Sequence, residues 1–220
     1  MSEAVLDLYD YGELRRRSEP TMFVVRVTRP ILVLGGSQDS GVIDANHLGT
    51  TSLVRRRGGG GLVFIQPDDL WIDWWIPSDD MRWSNDVHNS SIMVGEWWRT
   101  LLCQYVRDEV TVHSGSLEGS VAHRLVCFAG RGPGEVFVND RKAVGVTQWR
   151  VREGVFLSTV VHAHTSAAIL DFLRSVPEGL SESIDHHVIS TLGIGNVDIA
   201  VDQLRNISGA WHLTTQHLNH

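Results

Sequence analysis

The chain has 220 residues, 42% of them hydrophobic and 20% charged, with a formal charge of −7. That length suits one domain, the apolar content excludes a disordered chain, and the acidic balance argues against nucleic-acid binding as the main task. Two cysteines exclude a disulfide scaffold, no apolar run of about 18 residues offers a membrane span, and no signal segment opens the chain, so a cytoplasmic protein is expected.

Residues 1–20 are polar, with arginines at 15–17 and Pro20, and are expected to be a loosely ordered segment ahead of one domain over 21–220. Stretches 22–27 and 30–35 are short, β-branched and separated by a turn, which predicts two strands. Residues 52–57, four glycines and residues 62–65 read as strand, tight turn, strand. Residues 69–77 alternate, placing Trp71, Asp73 and Trp75 on one face and Ile72, Trp74 and Ile76 on the other. Helical spacing of Val87, Ser91, Val94, Trp98 and Leu101 predicts a helix over 87–106. Strands are expected over 109–113, 124–129, 134–139, 142–150 and 154–162, the later ones antiparallel neighbours with short connections. The remainder reads as helical, over 166–176, 181–192 and 196–207, with Asn196 as a cap. The sum is an α+β fold, a mixed or antiparallel sheet body packed with helices.

Four features carry chemistry. The first is Lys142, the one lysine among 19 basic residues. A lysine is a compact charge, where arginine is a planar fork, so a site needing a small cation against a carbonyl could not accept arginine. The second is Arg55 and Arg56 followed by Gly58, Gly59, Gly60 and Gly61. These glycines lie between two strands, which excludes a P-loop or dinucleotide fingerprint. They suit a backbone cradle for an anion, with the arginines adding charge, and the alternative is a flexible turn.

The third is Cys127, with Arg131 close in sequence to favour a thiolate; the alternative is a buried, inert thiol. The fourth is Asp73, which either faces solvent or reaches into a pocket walled by tryptophans. The eleven histidines show no metal-ligand spacing, so no metal is expected.

Taken together, VLGGSQ (33–38), RRRGGGGLVF (55–64) and RKAVGVTQWR (141–150) resemble the lipoate–protein ligase and octanoyltransferase family, acyl relatives of the biotin protein ligases. The resemblance covers about residues 22–175 and implies a biotin/lipoate protein ligase-like catalytic domain. It puts Lys142 on the family's essential lysine, which holds the acyl carbonyl. It also implies substrate contacts from Gln38, Arg55, Arg56, Gly58, Gly59, Gly60, Gly61, Gly145, Gln148 and Arg150, to which Asp73 is added on the pocket reading above. Within the family the segment 127–150 looks most like the Gram-positive octanoyltransferases, in which a cysteine some fifteen residues before the lysine carries the acyl thioester; Cys127 has that spacing. Ile65 and Thr147 depart from the pattern, standing where the family often has histidine and a small residue.

The resemblance implies transfer of an octanoyl or lipoyl group to a lysine of a lipoyl-domain protein. An acyl carrier protein would be the donor, and Cys127 and Lys142 the catalytic pair. Two other readings stand beside it. One is an ATP- and Mg2+-dependent lipoate ligase working through lipoyl-AMP, with any accessory domain on a separate chain. The other is a non-catalytic module that binds an acyl chain or a lipoyl domain.

Overall fold

The computed structural model describes residues 5–120 and 122–218. In chain order the elements are β1 (Leu6–Asp7), α1 (Tyr11–Arg15), β2 (Thr21–Val27), β3 (Ile31–Leu34), β4 (Ser52–Arg55), β5 (Val63–Ile65), β6 (Leu70–Pro77), α2 (Val87–Leu102), β7 (Val110–Val112), β8 (Val136–Val138), β9 (Arg141–Val151), β10 (Gly154–Val161), α3 (Leu180–Ser183), α4 (Val197–Ser208) and β11 (His212–Leu218). A four-stranded sheet runs β1-β4-β3-β5, and a seven-stranded sheet runs β11-β2-β6-β10-β9-β8-β7. This is the α+β arrangement the sequence predicts.

Alternation on β6 builds the layers. Ile72, Trp74 and Ile76 face one core with Val94, Trp98 and Leu204 of the helices α2 and α4. Trp71 and Trp75 face a second core with Val33, Val54 and Val63 of the smaller sheet. All eight residues of β6 are buried, because the strand is covered on both sides. A third cluster covers the outer face of the smaller sheet, where Leu32, Leu34 and Phe64 meet Ile169, Leu173 and Leu180.

Local signals explain most elements. Asp86 caps α2 by accepting from the N–H groups of His88 and Asn89. Asn196 caps α4 by accepting from Ile199. The β8–β9 hairpin turns on Asn139 and Asp140, whose φ values of 46° and 63° suit a tight two-residue turn.

The structure corrects the sequence reading at several places. Residues 124–129 are not a strand: they make a single bridge at Val126, where the Leu62 N–H donates to the Leu125 carbonyl and the Cys127 N–H to the Leu62 carbonyl, and the chain then enters a 3-10 turn over Cys127–Ala129. Residues 166–176 give a 3-10 helix over Ser166–Phe172. The helix expected over 181–192 shrinks to the single turn Leu180–Ser183, because the His187 N–H donates to the Lys142 carbonyl and the Ile189 N–H to the His162 carbonyl. Pairing with strand ends outcompetes the helical pattern there.

The C-terminal end is also not all helical, since β11 runs parallel to β2 along the sheet edge. Strands β4 and β5 do not form a hairpin, since β3 lies between them, parallel to one and antiparallel to the other. Within residues 1–20, expected to be loose, Leu8, Tyr9, Tyr11 and Leu14 are buried and α1 is capped by Asp10. Apolar side chains spaced along a polar stretch were enough to dock it.

Candidate functional site

The glycine segment arches over the end of β3. A Cβ on Gly35 would lie 1.9 Å from the Gly60 carbonyl oxygen, and Gly60 itself has φ +86°. Only glycine tolerates both the approach and the conformation. Arg56 holds the arch from inside: its Nη2 donates to the carbonyls of Gly59 (2.8 Å) and Gly61 (2.7 Å), and its Nη1 to Val33 (3.3 Å). Burial pulls this guanidinium below its usual pKa. Arg55 donates to the carbonyls of Gly35 (3.0 Å) and Gln38 (2.6 Å). Both arginines are thus committed to backbone oxygens. The Gln38 side chain accepts from Gly35 and donates to the Leu125 carbonyl, tying the loops together.

Strand β9 supplies the next group. Its alternate residues Gly145, Thr147 and Trp149 face the smaller sheet and line a cavity between the sheets, partly open to solvent. Val33, Val63, Ile65, Trp71, Phe156 and Val160 make its wall largely apolar. Gln148 and Arg150 lie one residue out of phase and point to the opposite face. Gln148 donates to the Val87 carbonyl and Ser91, while Arg150 donates to the Ser84 carbonyl and Ser90 and lies over Trp83. They pin the start of α2; Arg150 does not line the cavity, whereas Gln148 also borders it.

Lys142 lies where β9 carries one residue more than β8: Val136 faces Val144 and Phe137 faces Lys142. That register shift is a bulge at Ala143, which redirects the lysine. The side chain is buried, 2% exposed, and its Nζ meets Glu135 Oε2 at 2.6 Å and donates to the Cys127 carbonyl at 2.7 Å. Phe128 and Phe137 present their ring faces to it, at 5.4 and 5.9 Å from the ring centres. Glu135 also accepts from the Gly132 N–H, and burial pushes its carboxyl pKa up.

Cys127 is half-buried and lines the apolar cavity. It also lines a second, broader cavity with Gly59, Gly60, His123, Arg124 and Arg131. Thr147 borders both, and its hydroxyl donates to the Gly59 carbonyl at 2.9 Å. Burial pushes the Cys127 thiol up, the Lys142 ammonium opposes this, and Glu135 adds to it. Gly145 leaves room for the Phe128 ring, whose edge would be 2.9 Å from a Cβ there.

Asp73 is fully buried beneath the apolar cavity and not toward solvent. Tyr9 donates to its Oδ2 at 2.5 Å and the Trp71 indole to its Oδ1 at 2.7 Å, and Ser158 also bonds it. Burial lifts this carboxyl to about 7 against those three donors.

Of the expected residues, Cys127, Arg56, Gly58, Gly59, Gly60, Gly61, Gly145 and Gln148 therefore line one or both cavities, with Asp73 buried behind the first and Lys142 against the Cys127 carbonyl. Arg55, Gln38, Gln148 and Arg150 hold the scaffold around them. Sequence reasoning missed Tyr9, Ser158, Glu135 and the buried His162–Asp69 pair (2.9 Å) behind Phe128. An acidic residue in an otherwise apolar stretch was the available signal for Glu135. Among the described residues no group of three His, Cys, Asp or Glu side chains forms a metal-ligand set, and no helix is long and apolar enough to cross a membrane.

No protein-family model matches this sequence, and no curated protein matches it. Solved structures do share its fold. Protein Ta0514 of T. acidophilum with bound lipoic acid superposes with a TM-score of 0.71 at 16% identity, over 94% of this chain and 82% of that one. A bi-partite lipoate protein ligase from Thermoplasma acidophilum, described with its E2 lipoyl domain, gives 0.70 at 15% identity, over 94% and 80%. Lipoate-protein ligase A bound with ATP gives 0.68 at 16% identity, over 89% and 76%. At these identities the likeness establishes the fold.

Proposed function

We propose that this chain attaches a medium-chain acyl group of the lipoyl or octanoyl type to a lysine of a lipoyl-domain protein, through a thioester on Cys127. The observation that carries the reading is the position of Cys127: it lines an apolar cavity and a second, wider cavity, with the Lys142 ammonium on its own carbonyl. The acyl chain lies in the first cavity and its carbonyl at the cysteine. The Cys127 thiolate attacks the donor thioester carbonyl, the donor thiolate leaves, and the acyl group is held as a new thioester. The acceptor lysine amine then attacks that carbonyl, forms the amide, expels the Cys127 thiolate and loses a proton to solvent. Lys142 stabilises the oxyanion in both steps when it turns from the Cys127 carbonyl to the substrate. The solved structures with lipoic acid and with an E2 lipoyl domain share this fold, which supports the substrate and acceptor class.

A second reading has its own support. The wider cavity is floored by glycines and flanked by Arg124 and Arg131, a setting for a nucleotide phosphate, and burial raises rather than lowers the Cys127 thiol. In that case ATP activates the free acid as an acyl-adenylate, pyrophosphate leaves, and the acceptor lysine displaces AMP. Lys142 would then neutralise the acyl phosphate. An accessory domain on a separate chain would fit with the bi-partite ligase of the same fold.

Intact mass after incubation with octanoyl carrier protein and no ATP separates the two. A hydroxylamine-labile octanoyl increment on Cys127 supports the thioester route. No increment, together with ATP–pyrophosphate exchange that depends on lipoate, establishes the adenylate route instead.

A further inference from the structure

The wall of the apolar cavity is not uniformly apolar. Tyr9, Trp71 and Ser158 all line it, and all three bond Asp73 behind it. The Tyr9 hydroxyl is used as a donor to Asp73, and the Trp71 N–H is shared between Asp73 (2.7 Å) and the Ser158 oxygen (3.1 Å). With Asp73 ionised, every polar hydrogen of the cluster is thereby turned inward to the carboxylate. What the cluster keeps for the cavity is lone pairs on the Tyr9 and Ser158 oxygens.

Position along the cavity follows from strand register. Thr147 on β9, at the glycine arch, pairs with Ser158 on β10, which pairs with Asp73 on β6. Ser158 is one strand and Asp73 two strands from Thr147, so the cluster lies about 5 to 10 Å across the sheet from the arch. An acyl chain whose carbonyl sits at Cys127 reaches the cluster with its far end.

We propose that this acceptor-rich cluster makes the cavity selective for medium-chain acyl groups that carry a hydrogen-bond donor at the far end, a hydroxyl, a thiol or an N–H, over a plain alkyl end. A donor there gains a partner inside an apolar wall, while an alkyl end leaves the Tyr9 and Ser158 oxygens desolvated and without a ligand partner. The inference rests on the acyl-cavity reading above and narrows its substrate class. Among lipoyl-type groups it favours the reduced dithiol, which has S–H donors, over the closed disulfide, which has none.

The test is calorimetric titration of the full chain with octanoic acid and with 8-hydroxyoctanoic acid. The hydroxy acid is expected to bind about tenfold tighter. In Ser158→Ala and in Tyr9→Phe the difference should shrink to less than about threefold, with octanoic acid binding unchanged or improved. Octanoic acid binding as tightly as the hydroxy acid overturns the proposal, as does a preference that survives intact in both variants. If neither acid binds, the acyl-cavity reading fails and the inference with it. If the preference holds and no acyl transfer can be found, the inference stands and the proposed reaction alone is lost.

Discussion

The ammonium of Lys142 and the carboxylate of Glu135 lie 2.6 Å apart, with side chains 2% and 5% exposed. Removing one partner of such a pair strands the other in the interior, at about 3–5 kcal/mol. Lys142→Ala is therefore expected to lower stability by about that amount as well as activity, and Lys142→Met with Glu135→Leu to regain much of the stability and none of the activity. Urea denaturation of the single and double variants reads the first effect and acyl transfer the second. A double variant as unstable as Lys142→Ala would show that the pair is not the source of the loss.

The two cysteines give an internal comparison. Cys103 is exposed, whereas Cys127 is half-buried with its thiol pushed up by burial. Iodoacetamide at pH 8 should modify Cys103 first, with Cys127 reacting at least tenfold more slowly. Peptide mass mapping over time measures both sites. Faster labelling of Cys127 would mean that its thiolate is more accessible than its surroundings imply, and would strengthen the thioester route.

The glycine beneath the arch and one within it should differ sharply in tolerance. A Cβ on Gly35 collides with the Gly60 carbonyl, while Gly59 has nothing within 4 Å of its would-be Cβ. Gly35→Ala is expected to cost several kcal/mol or to prevent folding, and Gly59→Ala less than about 1 kcal/mol. Thermal melting of the two variants is enough to decide it. Equal losses would remove the close packing of the arch on β3 as the explanation.

Asp73 ties stability to pH. Its folded pKa is about 7, and an unfolded aspartate titrates near the ordinary value of about 3.9. Between those values the folded state holds a proton that the unfolded state has lost. By the linkage relation, stability from this group is present below about pH 4 and falls as pH rises toward 7, by on the order of 4 kcal/mol. Asp73→Asn abolishes the ionisation, so the difference in unfolding free energy between wild type and variant should follow that slope and level off above pH 7. A difference that does not vary over this window would place the folded pKa near its ordinary value.

The strands of the larger sheet were legible because their side chains alternate or are uniformly apolar, as in β6. Lys142 was legible because no other lysine competes with it for attention. The last strand was not: HLTTQHL has little apolar alternation, and it forms at the sheet edge through backbone pairing with β2. The arginines beside the glycines were read as ligands for an anion because sequence shows a guanidinium's charge and not its partners. In the fold those partners are carbonyl oxygens, three and five residues away for Arg56 and 17 for Arg55. Asp73 was recognised as odd, yet its role needed Tyr9, 64 residues distant and from a segment with no strong pattern of its own.

The pairing of β2 with β11 has a consequence for how the chain is made. Every residue that lines the apolar cavity precedes β11, and β2 can pair with β6 on one side early. Its other edge, rich in buried apolar residues, has no partner until residues 212–218 leave the ribosome. At ordinary synthesis rates that is about 10–40 s with a bare hydrophobic edge. Such an edge is a template for misassociation, so yield during expression should depend on chaperone capacity and fall when β11 is deleted, even though β11 contributes nothing to the cavity lining.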